Sequence, residues 1–292
     1  MKTGLSFLSV SSIAAALILL SCQAGTQPSA QPAPPELPAQ RAYLGFDLNI
    51  FPGNEALPVL RKTFAFAGYW LSAPPGEKNN TWLGNGQREA LRARGFGFLL
   101  LYRGPLSREL KNEAAARQKG TLDAHKAAAA AKSEGFPAHA IIFLDIEEGG
   151  RLSAGYHSYL RAWASDLAAA GYRAGAYCSG MVVKEEPGAT ITTADDIRAH
   201  APSQDLAFFI YNDACPPSPG CTFSANPPAP AMGGIAYASI WQFAQSPRRK
   251  QFTAHCPPGY HADGNCYAPG DTAHAWFLDV NSASSPDPSN GR

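Results

Sequence analysis

From about Ala42 to Ser282 the chain alternates short apolar runs with helical stretches. The apolar runs predict strands at Ala42–Leu48, Phe64–Trp70, Gly97–Tyr102, Ala140–Ile146, Arg173–Cys178, Ala207–Tyr211, Ala238–Phe243 and Trp276–Val280. They are nearly continuous in apolar residues, as strands covered on both faces must be. Crossover helices are predicted at Asn54–Lys62, Gly84–Arg94, Leu122–Glu134, Ala154–Ala169 and Ala194–His200. The last two connections, Asn212–Gly234 and Gln245–His274, are long, rich in Pro and Gly, bear cysteines and predict no helix. Eight strands with helices after the early ones imply an α/β fold, a (β/α)8 TIM-type barrel with degraded late helices and disulfide-tied loops. The competitor is an open doubly wound sheet, which the missing Gly-x-Gly-x-x-Gly turn after the first strand disfavours.

Outside this domain, taken as 42–283, the pattern changes. Residues 1–21 read as an export signal: Lys2 precedes an apolar stretch from Ile13 to Leu20. That stretch is shorter than the ~20 residues a membrane-spanning helix needs and fits a signal-peptide core. Ser21 followed by Cys22 resembles the lipobox of bacterial lipoproteins, in which the cysteine is lipidated; an ordinary signal peptide is the alternative. Residues 22–41 are dense in Pro, Ala, Gln and Ser, a composition that makes an extended tether rather than a core. Gln23 resembles the outer-membrane sorting pattern. The expectation is an exported bacterial lipoprotein of the cell envelope, held to a membrane by its N-terminal lipid, with the domain facing periplasm or exterior. Residues 284–292 are expected to form a disordered tail.

Export permits disulfides. Cys215 and Cys221 bracket one short loop and Cys256 and Cys266 another, so two short-loop pairings are the economical expectation. Cys178, in an apolar strand pattern, is expected to be a buried free thiol. Zinc held by His255, Cys256, His261 and Cys266 is the rival, but the spacing matches no standard pattern, and neither metal nor cofactor is expected. The chain carries 24 Lys and Arg against 23 Asp and Glu, with no basic run beyond Arg248-Arg249-Lys250. That balance argues against a nucleic-acid partner.

Candidate chemistry lies where apolar runs end in acids: Gly45-Phe46-Asp47, Leu144-Asp145-Ile146-Glu147 and Leu278-Asp279-Val280-Asn281. A carboxylate at the end of a buried strand loses hydration and is kept only where something compensates. Barrel enzymes place reactive groups at the C-terminal ends of their strands. Asp145 and Glu147, two apart, share a face, and closure would bring Asp279 near Asp47. Crowded carboxylates cannot all ionise, so at least one should keep its proton near neutrality. A proton donor beside anionic partners is what glycosidic cleavage requires. Glu147, with the longer arm, is assigned as general acid and Asp145 as its tuner. Asp47 or Asp279 is left to stabilise positive charge, orient a substrate amide, or act as nucleophile or base. Tyr177, Trp241, Gln242, Tyr102, Arg103, Trp70 and Tyr211 lie near predicted strand ends as candidate sugar contacts, with core packing the alternative for the aromatics.

These segments, with Gly175-Ala176-Tyr177 and Ile240-Trp241-Gln242-Phe243, resemble the lysozyme-like family 25 glycoside hydrolases. They resemble more closely still the glycoside-hydrolase-like barrel domain of secreted bacterial proteins. The resemblance implies Glu147 as general acid, with Asp145, Asp47 and Asp279 completing an acidic pocket. It implies a polysaccharide partner, peptidoglycan or another envelope glycan. The alternatives are a non-catalytic glycan-binding lipoprotein and an interaction protein that works through its cysteine-bearing loops.

Overall fold

The computed structural model describes residues 41–201, 205–213, 215, 218–246, 256 and 267–292. Eight strands close into a barrel in the order β1-β10-β9-β8-β5-β4-β3-β2. They are β1 (Tyr43–Asp47), β2 (Phe66–Trp70), β3 (Gly97–Arg103), β4 (Ile141–Asp145), β5 (Arg173–Ser179), β8 (Ala207–Tyr211), β9 (Ile240–Ser246) and β10 (Leu278–Ala283). A small hairpin, β6 (Val183–Lys184) with β7 (Thr190–Ile191), leaves the sheet after β5. Burial on both faces explains the continuous apolar runs: β2 is buried throughout, and Phe46, Phe98, Ile142 and Leu144 are fully enclosed. The fold is a TIM-type α/β barrel.

The last strand departs from the usual barrel. β10 runs antiparallel to both neighbours, β1 and β9, whereas the other barrel pairings are parallel. Antiparallel entry allows a strand to be fed from the rim without a crossover helix. No crossover helix is therefore required between β9 and β10.

Helices α1 (Leu57–Leu60), α2 (Gln87–Ala93), α3 (Glu113–Ser133), α4 (Ala154–Ala169) and α5 (Thr193–His200) cover the early strands. Helix α3 begins well before the predicted Leu122. Asn112 caps it by accepting from the Ala115 amide at 2.9 Å. Gly120, which reads as a helix breaker, sits where α3 meets α4: a Cβ there would stand 2.4 Å from the Tyr159 carbonyl oxygen. Asp123 is buried inside α3, where its carboxylate accepts from Lys119 and Tyr159 and ties α3 to α4. Among the described residues, the β8–β9 connection holds a short 3-10 turn at Pro230–Gly233 and the β9–β10 connection no helix.

Two expectations are corrected here. Cys215 pairs with Cys256, 41 residues away, rather than with Cys221. Cys221 is also disulfide-bonded; Cys266 lies outside the described residues. The bond ties the β8–β9 loop to the β9–β10 loop instead of closing either on itself. Cross-linking so long a segment corresponds to about 4 kcal/mol of unfolded-chain restriction, against roughly 2–3 for a short loop. It also commits the Cys256 sulfur, which removes it from the zinc arrangement whose other members, His255, His261 and Cys266, lie outside the described residues. Cys178 is a buried free thiol.

The second correction concerns residues 284–292, which are ordered. At the N-terminal end of the barrel the β3–β4 ladder starts only at Leu100 and Ile142, leaving a wedge between the strands. The tail fills it: Ser289 donates its amide to Phe98 O and accepts from the Ile141 amide, and Asp287 Oδ1 accepts from the Phe98 amide at 2.8 Å. Short polar residues serve here because the wedge needs acceptors and donors rather than apolar volume. The expected export signal, Cys22, the expected tether up to residue 40 and Arg248-Arg249-Lys250 lie outside the described residues.

Candidate active site

Asp47 closes β1 and Asp145 closes β4, so both reach the same rim of the barrel. Asp279 arrives there by a different route. It lies near the start of antiparallel β10, and the register sets it opposite Asp47. Glu147 lies two residues beyond Asp145. All four acids line one cavity of about 430 Å³ at the barrel mouth.

Strand direction then decides depth. Side chains two apart share a face, so Asp279 and Asn281 point the same way, as do Asp145 and Glu147. β10 descends from the rim, and Asn281 is therefore the deeper member, fully buried, donating from Nδ2 to Asp47 Oδ2 at 2.7 Å. β4 climbs towards the rim, so Glu147 is the outer member and exposed. Gly68 on β2 leaves space for Asp47; a Cβ there would come within 2.3 Å of the Asp47 Cβ.

Asp47 is 6% exposed and Asp145 only 2%. Burial pushes the Asp47 carboxyl up to about 7, partly offset by the Asn281 hydrogen bond. Burial likewise drives Asp145 well above the usual carboxylate range, helped by the adjacent Glu147 carboxyl and then by Asp47. Arg103 opposes that shift without reversing it. Neither Asp145 oxygen has a hydrogen-bond donor among the described residues. Asp145, buried beside these like charges, is therefore the carboxyl of the Asp145–Glu147 pair that holds its proton to higher pH.

The remaining candidates divide between cavity and core. Trp70, Tyr177, Tyr211 and Gln242 line the cavity. The Tyr177 hydroxyl donates to Gln242 Oε1 at 2.6 Å. Burial holds the Tyr177 hydroxyl protonated, well above its usual range. Trp241 and Tyr102 are not in the cavity. Each is one residue out of phase with an inward-facing neighbour and so points outward. Trp241 is fully buried, its indole N–H donating to Asn212 O at 3.1 Å; Tyr102 packs on Trp163 of α4 with ring centroids 5.2 Å apart. Arg103 is exposed and off the cavity wall, acting on Asp145 through its charge alone.

Sequence reasoning assigned no role to Asn49, Asp213 or Gln245, which also line the cavity, nor to Asn281 beneath it. A usable signal existed: Asn49, Asp213 and Asn281 each stand two residues beyond an inward-facing Asp47, Tyr211 or Asp279. Among the described residues, one cluster of histidines and a carboxylate is spaced for a metal ion: His157, Asp196 and His200, outside the barrel. Asp196 there already accepts from the Leu152 amide at 2.9 Å, contacts His157 at 2.7 Å and lies 3.4 Å from the Arg151 guanidinium. That set buttresses α5 against the loop before α4 without needing an ion.

The architecture is shared with solved structures. An uncharacterized protein of B. stearothermophilus aligns with 18% identity and a TM-score of 0.53, over 82% of this chain and 95% of its own. The Tat-secreted protein Rv2525c of Mycobacterium tuberculosis aligns with 16% identity and a TM-score of 0.47, over 86% and 98%. The spore cortex lytic enzyme SleM of Clostridium perfringens aligns with 14% identity and a TM-score of 0.45, over 84% and 68%. The first of these likenesses is one of fold. Among curated proteins no relative matches the chain. Residues 61–213, from the end of α1 to just past β8 and including Asp145, Glu147 and Tyr177, match the family described as Rv2525c-like, glycoside hydrolase-like domain. This chain belongs to the Rv2525c-like family of glycoside hydrolase-like domains.

Proposed function

We propose that this protein is a lipid-anchored glycoside hydrolase of the bacterial envelope. It cleaves glycosidic bonds of peptidoglycan or another envelope polysaccharide by carboxylate acid–base catalysis. The observation that carries this reading is the Asp145–Glu147 pair: a buried acid whose two oxygens have no donor among the described residues, beside an exposed acid in the same cavity. An arrangement of that kind costs stability in the absence of a task. Membership of a glycoside hydrolase-like family supports the reaction class, and the apolar run ending at Cys22 supports the anchor.

Glu147, reaching into the open part of the cavity, protonates the glycosidic oxygen as the bond to the anomeric carbon breaks. Asp145, whose buried carboxyl keeps its proton to higher pH, replenishes Glu147. Positive charge builds on the sugar ring and is stabilised by Asp47 or Asp279. Water then bonds to the anomeric carbon, and its proton passes to a carboxylate, restoring the site. Trp70 and Tyr211 offer ring faces to the sugar, and Gln242 an amide N–H.

The test is release of soluble fragments from purified peptidoglycan and a panel of polysaccharides. Glu147→Gln should lower release by about 10²–10⁴-fold with an unchanged melting temperature. A fully active Glu147→Gln protein would sink the proposal. Binding by wild type without release from any substrate would put the non-catalytic glycan-binding lipoprotein in its place.

A further inference from the structure

Beside the acid cavity lies a second cleft, of about 670 Å³, and the two share wall residues Asn49, Gln245 and Asp279. Its lip carries apolar side chains in contact with solvent: Phe277 is 67% exposed and Ile50 51%. Trp276, partly exposed, stands beside Phe277 on the same cleft.

Both walls are held firmly. Asp271 is buried, and its two carboxylate oxygens accept from the backbone amides of Ala275 at 2.8 Å and Trp276 at 2.9 Å. This clamp fixes the turn that presents Trp276 and Phe277. On the opposite wall the Phe51 amide donates to Thr81 Oγ1 at 2.8 Å, and the Phe51 ring packs edge-on against Trp82. The indole N–H of Trp82 in turn donates to the Leu48 and Asn49 carbonyls. Ile50 is therefore displayed from a braced loop rather than a slack one.

A buried acid spent on clamping a turn whose product is a solvent-facing aromatic implies a partner for that ring. The cleft adjoins the acid cavity along the shared residues Asn49, Gln245 and Asp279, so a chain lying in the cavity can extend over it. We infer that the cleft lined by Phe277, Trp276 and Ile50 is an additional binding subsite for a linear polysaccharide, holding sugar rings that extend beyond the acid pocket. Pyranose rings present C–H faces that stack on aromatic surfaces, while their hydroxyls stay available to Asn49 and Glu77 on the same walls. The inference rests on the acid cavity being a sugar site. It adds that the protein engages chains several rings long and grips them outside the reacting bond.

The experiment measures dissociation constants for the dimer and hexamer of N-acetylglucosamine by titration calorimetry. The variants are wild type, Phe277→Ala, Trp276→Ala and, as a control, Leu122→Ala, which removes an apolar side chain exposed on α3. Melting curves verify the fold of each. Wild type should bind the hexamer at least tenfold more tightly than the dimer. Phe277→Ala and Trp276→Ala should each reduce that preference about fivefold to tenfold, the worth of one good ring contact. Leu122→Ala should retain the preference. A wild type that binds both lengths equally or neither, or an unaltered preference in Phe277→Ala, would overturn the assignment. Hexamer preference without fragment release from any polysaccharide would instead refute the hydrolase reading and leave the cleft assignment standing.

Discussion

A carboxylate such as Asp47, enclosed at a barrel mouth with one amide donor, makes stability depend on pH in a calculable direction. Its folded-state pKa is pushed up to about 7, above the roughly 3.9 of an unfolded aspartate. The folded protein therefore binds this proton more tightly than the unfolded chain does. Stability from this group is fully present below about pH 4 and is lost as pH rises through about 7. Asp145 pulls the same way, since its carboxyl is also raised. Asp47→Asn keeps an oxygen that can accept from Asn281 and removes the charge. The variant should lose less stability than wild type between pH 5 and pH 8, and at pH 8 should melt about 3–10 °C higher. Thermal melts across that range check it, and a steeper pH dependence in the variant would contradict the burial argument.

At the scale of elements, packing overrides local preference in two places. Helix α3 runs straight through Gly120, a residue that costs about 1 kcal/mol in a helix relative to alanine. The helix accepts that cost because the glycine lets α3 approach the Tyr159 carbonyl of α4. Gly120→Ala should therefore destabilise the protein by about 1–3 kcal/mol in urea unfolding despite its better helix propensity, since the added methyl must push the helices apart. A neutral or stabilising result would mean that the helix pair has slack. The second place is β10. Read as a parallel strand ending near Val280, it would carry Asp279 to the rim at its finish. The observed strand enters antiparallel and carries Asp279 there at its start. The acid reaches the same rim either way, but only the observed direction buries Asn281 beneath Asp47.

Over the whole molecule, reactive groups and bracing occupy opposite ends of one barrel. The C-terminal ends of β1 and β4 hold the acids, while the last residues of the chain fasten the other end. Ser289 Oγ accepts from the Leu100 amide at 2.8 Å, and the Ser289 carbonyl from the Ile141 amide at 2.8 Å. Deleting residues 285–292 would strip acceptors from three backbone amides, of Phe98, Leu100 and Ile141. Each buried donor left unpaired costs about 1–3 kcal/mol. The truncated protein should lose about 10 °C or more in melting temperature, whereas Ser289→Ala should lose a few degrees. A truncation that melts like wild type would show that the wedge between β3 and β4 closes without the tail.

Much of this was legible from the amino acids because the relevant forces are local. Period and composition identify strands buried on both faces, and the end of an apolar run marks where a carboxylate meets solvent. Two-residue spacing tells which side chains share a face. Thus the eight barrel strands, the closed barrel and the buried Cys178 could be read directly, and so could the convergence of Asp47, Asp145, Glu147 and Asp279. What the residues did not reveal depends on partners distant in the chain. Trp241 and Tyr102 sit one residue out of phase with the cavity, and strand limits good to a residue or two do not resolve that difference. The pairing of Cys215 with Cys256 is set by which loops meet in space, not by spacing within either loop. The tail looks unstructured because its Ser, Pro, Asn and Gly residues have no core of their own to make; they become ordered only where β3 and β4 leave amides without acceptors. Strand direction belongs to the same class: hydrophobicity is blind to it, because a strand buried on both faces reads alike from either end.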